Sequence, residues 1–251
     1  PSRIFVDSMS DLFHENVPVS YIAEVFEMMA SWRLVCRKQN CDHDDPGCYE
    51  DPGHTYLILT KRPQRMRAVL MDELPRYVSN YYEGDSALSL RIGVGEWPLK
   101  NVWPGVSIST QEDADRNIQL LLETPAAVRF VSCEPMLEEI DIRDALRGYP
   151  VQTSRPFIIS REMALDAGDP SMEGMIWGTN EWEQTCPPLN WVICGCESGT
   201  SARPFDMDWA RSLRDQCQDA RVPFFLKQGR IDGRLVKMPE LDGRVWDQYP
   251  E

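Results

Sequence analysis

The chain has 251 residues and a formal net charge of −14, a length that accommodates one large α/β domain. Hydrophobic residues make up 42% and charged residues 26%, a globular balance that excludes a disordered chain. The first residues lack the basic-then-apolar order of a signal peptide, and no apolar run reaches the roughly 20 residues that span a bilayer. We therefore expect a cytoplasmic protein without a membrane partner.

The charge and the cysteines also limit the partners. A net charge of −14 disfavours a surface that holds nucleic acid mainly through phosphate contacts, although a local basic cleft is compatible with an acidic whole. The eight cysteines of a cytoplasmic chain suggest metal-binding, catalytic or buried thiols rather than disulfides. Nothing in the pattern fixes the oligomeric state.

Short apolar runs, each followed by polar residues, predict the strands. Their apolarity is continuous, which is typical of parallel strands that are buried on both faces by helices. The first run is included, so Ile4, Phe5 and Val6 are predicted to form a buried strand. The runs are residues 3–6, 55–59, 102–106, 128–131, 191–194 and 223–226.

Helical periods lie between several of these runs. Ser20 is the predicted cap of the first helix, and Pro63 suits the first turn of the second. Thr110 with Asp113 resembles a capping box, and Asp206 is the predicted cap of a last helix. This alternation predicts an α/β fold with a partial or closed (β/α) barrel of parallel strands and outer helices. An open doubly wound sheet has less support, because no strand is followed by GxGxxG or GxxxxGK[ST].

The whole chain, residues 1–251, is predicted to be a single barrel-type domain with two insertions. Residues 34–54 form an insertion rich in Cys and His. Residues 147–188 lack periodicity and fit either a lid over the site or surface decoration. Residues 229–251 are predicted to be a C-terminal tail that contains a short hairpin.

Polar side chains recur where the predicted strands end. In a parallel sheet these ends share one edge, so we expect a ligand site there. Lys61 and Arg62 suit a carboxylate or phosphate, whereas Glu134 and Glu197 suit an amine, a ribose or acid–base chemistry. For any one of them, a structural ion pair is an equally common role. The candidate ligand-binding residues are Asp7, Ser8, Lys61, Arg62, Ser107, Ser109, Ser132, Glu134, Gly195, Glu197, Ser198, Arg203 and Lys227.

One segment is dense in the soft ligands that zinc binds tetrahedrally, although it has no CxxC pair. A structural zinc site and an ordinary polar loop are both open readings of it. A cysteine nucleophile at Cys133 or Cys196 would need a histidine that the fold brings near. The candidate zinc ligands are Cys36, Cys41, His43 and Cys48.

Several sequence blocks resemble the bacteriophage gene-product 37/68 family. The match runs from residue 3 to about residue 228 and is interrupted by the two insertions. Where the family usually has Gly-Gly-Glu-Ser, this chain has Cys196 at the second position, and Gly229 stands where the family has Trp. The blocks are RIFVDSMSDLFHENVP, HTYLILTKRPQRM, WPLKNVWPGVSIS, LLLETPAAVRFVSCEPML, LNWVICGCESG, ARPFDMDWARSLRDQC and VPFFLKQG.

That family resembles the radical S-adenosylmethionine (SAM) enzymes, which implies a barrel fold and a 4Fe-4S cluster held by cysteines upstream of Pro1. We accordingly expect that a segment before Pro1 is missing. The resemblance implies that SAM lies across the strand ends, with its ribose and adenine on Ser107, Ser132, Glu134 and Glu197. The cofactor would supply radical chemistry, and the protein would supply orientation and dryness.

The substrate implied by this resemblance is unknown, and a small molecule, a nucleotide or a nucleic acid under modification all fit a phage or prophage setting. Two alternatives stay open beside the radical SAM enzyme. One is a zinc-stabilised interaction protein. The other is a non-redox barrel that binds a phosphate or nucleotide through Lys61, Arg62, Arg203 and Lys227.

Overall fold

The computed structural model describes residues 2–7, 10–31, 53–82, 86–148, 150–158, 176–185 and 188–250. Two sets of predictions lie outside these residues. They are the candidate ligand Ser8 and the candidate zinc ligands Cys36, Cys41, His43 and Cys48.

The main sheet has seven strands and curls into a half-barrel, in the order β1-β2-β3-β4-β7-β8-β9. Neighbouring strands from β1 to β8 are parallel, and β9 is antiparallel to β8. The predicted α/β class and partial barrel are therefore confirmed, and all six apolar runs contribute strands. The strands are β1 (Arg3–Val6), β2 (Thr55–Thr60), β3 (Val102–Ile108), β4 (Phe130–Cys133), β5 (Pro150–Ile158), β6 (Ile176–Thr185), β7 (Trp191–Gly195), β8 (Phe224–Ile231), β9 (Arg234–Lys237), β10 (Glu240–Leu241) and β11 (Arg244–Val245).

Helices lie between the parallel strands and cover the outer, convex face of the sheet. A π-helical turn, Val69–Glu73, joins α2 to α3. None of the helices in the described ranges is long and apolar enough to cross a bilayer. The helices are α1 (Val19–Ala30), α2 (Pro63–Ala68), α3 (Leu74–Tyr81), α4 (Ala87–Gly93), α5 (Gln111–Glu123), α6 (Arg143–Arg147) and α7 (Met207–Ala220).

Three of the four predicted helix starts are confirmed. Pro63 opens α2, the Thr110 hydroxyl accepts the first-turn N–H of α5, and the Asp206 carboxylate does the same for α7. The prediction that Ser20 caps the first helix was wrong, because Ser20 lies inside α1, which begins at Val19. Extended Pro18 precedes it, and the Pro18 carbonyl accepts the N–H groups of the first turn.

Strand alternation gives the sheet two different cores. On the convex face, Ile58, Val106 and Val131 pack under the helices in the larger core. The concave face carries a second cluster, which consists of Leu57, Trp103, Phe130, Trp191 and Ile193. Successive strand residues point to opposite faces, so each strand contributes to both. Burial of a large apolar side chain is worth about 1.5–3 kcal/mol, and the sheet obtains it on both sides.

The C-terminal residues pack on both cores, Leu241 and Trp246 in the larger one and Tyr249 on the concave cluster, so the segment predicted as a tail is part of the fold. The tail's first residues lie within β8, and the predicted hairpin is present as β10 and β11. Further on, Tyr249 packs on Trp191 with ring centroids 5.0 Å apart. The Trp191 indole N–H donates to the carbonyl of Gln248 at 2.9 Å. These contacts fix the end of the chain across the inside of the half-barrel.

The prediction that β1 is buried was wrong. Ile4 is 37% exposed and Phe5 is 41% exposed. The physical reason is position: β1 stands first in the strand order and pairs with β2 alone among the described strands. The continuous apolar run therefore predicted a strand correctly, but it did not show that this strand lies at the end of the sheet.

The segment predicted as the second insertion contains a two-stranded antiparallel ribbon, formed by β5 and β6. Within the described backbone, these two strands pair with each other and with no strand of the main sheet. This arrangement agrees with an insertion between β4 and β7.

We expect Gly105→Ala to destabilise the protein by about 1–3 kcal/mol, the usual cost of overpacking a core. A Cβ at Gly105 would lie 2.5 Å from the Phe130 ring, which is buried and packs on Trp191. Urea denaturation of the two proteins measures the difference. Gly93→Ala is the matched control, because no atom lies within 4 Å of its added Cβ, and it should not destabilise. Equal stability of Gly105→Ala and the native protein would contradict the packing described.

Candidate functional site

Two serines lie side by side on the concave face, one step beyond the aromatic cluster. Ser107 of β3 pairs in register with Ser132 of β4. They follow Trp103 and Phe130 by even numbers of residues, so they share the concave face. Ser107 is 7% exposed and Ser132 is 3% exposed, and no described residue forms a hydrogen bond with either hydroxyl. The polar part of the concave face therefore begins directly after the aromatic cluster, which we call the apolar floor, in the direction of the strands' carboxyl ends.

Glu134 follows Ser132 on the same face and forms an ion pair with Lys227 of β8. The Lys227 Nζ lies 2.9 Å from Oε2 of Glu134. The carboxyl group also lies against β7, since a Cβ added to Gly195 would be 3.3 Å from Cδ and Oε1 of Glu134. The structure thus brings together three predicted residues, and it explains Gly195 as the position that leaves room for the carboxylate.

Glu197 and Arg203 bind each other in the connection between β7 and α7. The guanidinium donates to both carboxylate oxygens at 3.0 Å, and the Arg203 backbone N–H donates as well, at 2.9 Å. These hydrogen bonds lower the pKa of Glu197 to about 2. Glu197 was predicted to accept a hydrogen bond from a ribose, but both of its carboxylate oxygens are bound by Arg203 here. The neighbouring residue Ser198 is exposed.

Arg62 is bound by Asp11, a residue that the sequence did not single out. The Asp11 carboxylate accepts hydrogen bonds from the Thr60 hydroxyl at 2.8 Å, the Lys61 backbone N–H at 3.1 Å and Arg62 Nη1 at 3.0 Å. Burial acts to raise the pKa of Asp11, but these hydrogen bonds and one from the Phe13 N–H hold it below its ordinary value. Asp11 lies in a polar loop without periodicity, so no local signal marked it.

The remaining candidates have fewer contacts. Asp7 follows β1 with a left-handed backbone, φ 54°, and its carbonyl accepts the Ser10 N–H. Ser109 ends the connection to α5, where Asp113 accepts its backbone N–H at 3.1 Å. Lys61 is exposed, and its ammonium forms no ion pair within the described part of the chain.

The cysteines at the strand ends are packing residues. Cys133 and Cys196 are fully buried, and burial raises the pKa of both thiols. A neutral, enclosed thiol is a poor nucleophile. The backbone of Cys196 exchanges hydrogen bonds with Gln228, at 3.2 and 2.6 Å, which joins β7 to β8. Within the described ranges, no three His, Cys, Asp or Glu side chains gather as metal ligands.

Gly229, where the resembling family has Trp, is also enclosed. A Cβ at this position would lie 2.9 Å from Sδ of Met207 and 3.2 Å from Pro239. A larger residue would therefore require these side chains to move. Here the space is filled by the start of α7 and by the residue that precedes β10.

A comparison with protein families gives one result. The model of the family described as "Protein of unknown function (DUF5131)" matches residues 47–250. The chain belongs to this family. The matched region contains every candidate residue from Lys61 onward, so the strand-end site lies in the family's common region. No curated protein and no solved structure matches the chain. The family description names no activity.

We expect Glu197 to remain ionised down to about pH 2 in the native protein. Because the folded-state pKa is depressed, the pair's stabilisation is present above the unfolded pKa and is lost as the pH falls through about 2. The pair is exposed, so this contribution is small. A carboxyl-detected NMR titration measures the pKa directly.

In Arg203→Ala, the pKa of Glu197 should return towards its ordinary value of 4.5. Arg211→Ala is the control, because Arg211 binds Asp208 and Asp242 instead. A native Glu197 that titrates near 4.5 would refute the pairing.

Proposed function

We propose that this protein is a radical SAM enzyme that binds SAM on the concave face of the half-barrel, at the carboxyl ends of the strands. The observation that carries the proposal is the pair Ser107 and Ser132, whose hydroxyls have no hydrogen-bond partner among the described residues, with Glu134 beside them. The sequence resemblance to radical SAM enzymes supports the same reading. Parallel α/β barrels hold their ligands at this end.

The residues present fit the nucleoside part of SAM. A serine hydroxyl can both donate and accept a hydrogen bond, so Ser107 and Ser132 favour a ligand with hydrogen-bonding groups over an apolar one. Glu134 uses Oε2 to bind Lys227, and no described residue donates to Oε1. Ribose hydroxyls and adenine nitrogens are donors and acceptors of the required kind.

Each residue then has a defined task. Ser107 and Ser132 bind polar atoms of the nucleoside, and Glu134 accepts a hydrogen bond from a ribose hydroxyl. Lys227 orients the Glu134 carboxylate through their ion pair. The aromatic cluster below excludes water from this end of the half-barrel. Bound SAM, with its iron–sulfur cluster, supplies the radical chemistry.

The cluster ligands are not assigned to described residues. Cys133, Cys194 and Cys217 are buried in the convex core, away from the concave face. By the resemblance, the ligands of the 4Fe-4S cluster precede Pro1. The proposal keeps the cytoplasm of an infected or prophage-bearing cell as the location, since such a cluster is oxygen-sensitive.

The phosphate-binding alternative has lost most of its anchors. Arg62, Arg203 and Lys227 each bind a carboxylate at 3.0 Å or less. Three of the four proposed anchors are thus neutralised, and only Lys61 is without such a partner in the described chain. The zinc-stabilised alternative rests on residues outside the described ranges.

The first test measures SAM binding to the full-length gene product by isothermal titration calorimetry. Ser132→Ala should weaken binding by roughly 2- to 10-fold, the effect of one neutral hydrogen bond. Glu134→Gln should weaken it by about 10-fold or more, because a charged acceptor is lost.

Ser89→Ala on α4 is the matched control for the serine. The Ser89 backbone N–H donates to the Ser86 hydroxyl, a bond that alanine keeps, and no described residue forms a hydrogen bond with the Ser89 hydroxyl. We expect no change in SAM affinity in this variant. The same loss in Ser89→Ala and Ser132→Ala would argue against a site at the strand ends.

The second test asks whether the protein carries a cluster. After anaerobic reconstitution of the full-length gene product, we expect about four irons per chain and a visible absorbance that bleaches with dithionite. The absence of iron, together with no binding of SAM, would refute the radical SAM proposal.

A further inference from the structure

The part of the concave face formed by β1 and β2 carries an exposed aromatic ring. The Arg3 guanidinium lies 3.7 Å from the ring centroid of Tyr249, which belongs to the concave cluster, so Arg3 faces inward. Phe5 is two residues further along β1 and shares that face. It pairs in register with Leu57, whose side chain is buried in the concave cluster, yet Phe5 itself is 41% exposed.

An exposed ring by itself is ordinary, because single exposed apolar residues are common on protein surfaces. The position of Phe5 is what matters. It stands on the inner wall of the half-barrel, next to an apolar floor, where a planar ligand ring can stack on its face.

A second and independent observation concerns Lys61, at the end of the neighbouring strand. Of the four cationic candidates at the strand ends, Lys61 is the one whose side chain forms no ion pair with a described residue. Its backbone is nevertheless held in place, since Asp11 accepts its N–H at 3.1 Å. Lys61 directly follows Thr60, the last residue of β2, so it lies at the carboxyl end of the strand that pairs with β1.

We propose that this β1–β2 side binds the substrate, and that the substrate is a small molecule with a planar ring and an anionic group, as in a nucleoside monophosphate. The ring stacks on Phe5 and the anion binds the Lys61 ammonium. The inference rests on the proposed function, which places SAM at Ser107, Ser132 and Glu134. The two ligands then occupy different strands of one concave face.

The experiment titrates the full-length gene product with the deoxynucleoside 5′-monophosphates, the corresponding nucleosides and inorganic phosphate. We expect at least one monophosphate to bind more tightly than its nucleoside or phosphate alone. Lys61→Met should weaken that binding by about 10-fold, as the loss of a charge-assisted contact. Lys61→Arg, which keeps the charge, should retain most of it.

Matched controls separate the site from the general charge and apolarity of the surface. Lys100→Met removes an exposed lysine just before the amino end of β3, whereas Lys61 follows the carboxyl end of β2. This variant should leave monophosphate affinity unchanged. Phe5→Leu should weaken binding, whereas Ile4→Val, on the other face of β1, should not. Equal losses in Lys61→Met and Lys100→Met would overturn the inference, as would the absence of binding by every monophosphate.

SAM affinity measured on the same proteins keeps the two proposals apart. Lys61→Met should bind SAM normally, and Ser132→Ala should bind the monophosphate normally. Binding of a monophosphate that depends on Lys61, without any binding of SAM, would refute the proposed function and leave this site standing. Binding of SAM that depends on Ser132, with no monophosphate bound, would refute this site alone.

Discussion

The indole of Trp191 fills the inside of the half-barrel near the amino ends of the strands. Its ring centroid lies 5.6 Å from Phe130 and 5.0 Å from Tyr249, and 6.4 Å from Trp103. Because interiors are packed to crystal-like density, these described side chains fill this level of the concave face. Towards the carboxyl ends of the strands, side chains on the same face, such as Ser132, are polar. This packing interaction thus divides the concave face into an apolar amino end and a polar carboxyl end, where the candidate site lies.

Two glycines allow the concave face to hold an aromatic ring at one level and a carboxyl group at another. Gly105 leaves space for the Phe130 ring in the apolar floor, and Gly195 leaves space for the Glu134 carboxyl group in the polar part. Neither glycine has a positive φ, so close approach is their function rather than backbone freedom. The alternation of side chains along the strands therefore produces both the apolar cluster and the polar end of the concave face. A glycine lies at the closest contact in each of them.

The sequence predicted what is local and missed what depends on contacts between distant residues. Continuous apolar runs located the strands, and Thr110 marked the start of α5 through its own hydroxyl. Local sequence patterns could not predict the ion pairs, because Glu134 and Lys227 are 93 residues apart and Asp11 and Arg62 are 51 residues apart. The strand ends could be listed, but which charges neutralise one another is fixed only when the sheet forms.

That pairing has a consequence for the kind of ligand that this edge can take. A nucleic acid chain is held by many phosphate contacts, each of which needs a cation. Here Arg62, Arg203 and Lys227 are already bound to carboxylates, and the chain as a whole has a net charge of −14, which repels polyanions at long range. Among the four cations at the strand ends, Lys61 alone forms no ion pair with a described residue, so this edge offers few cations for a chain of phosphates. The charge distribution at this edge is therefore better suited to a ligand with a single anionic group than to a polyanion.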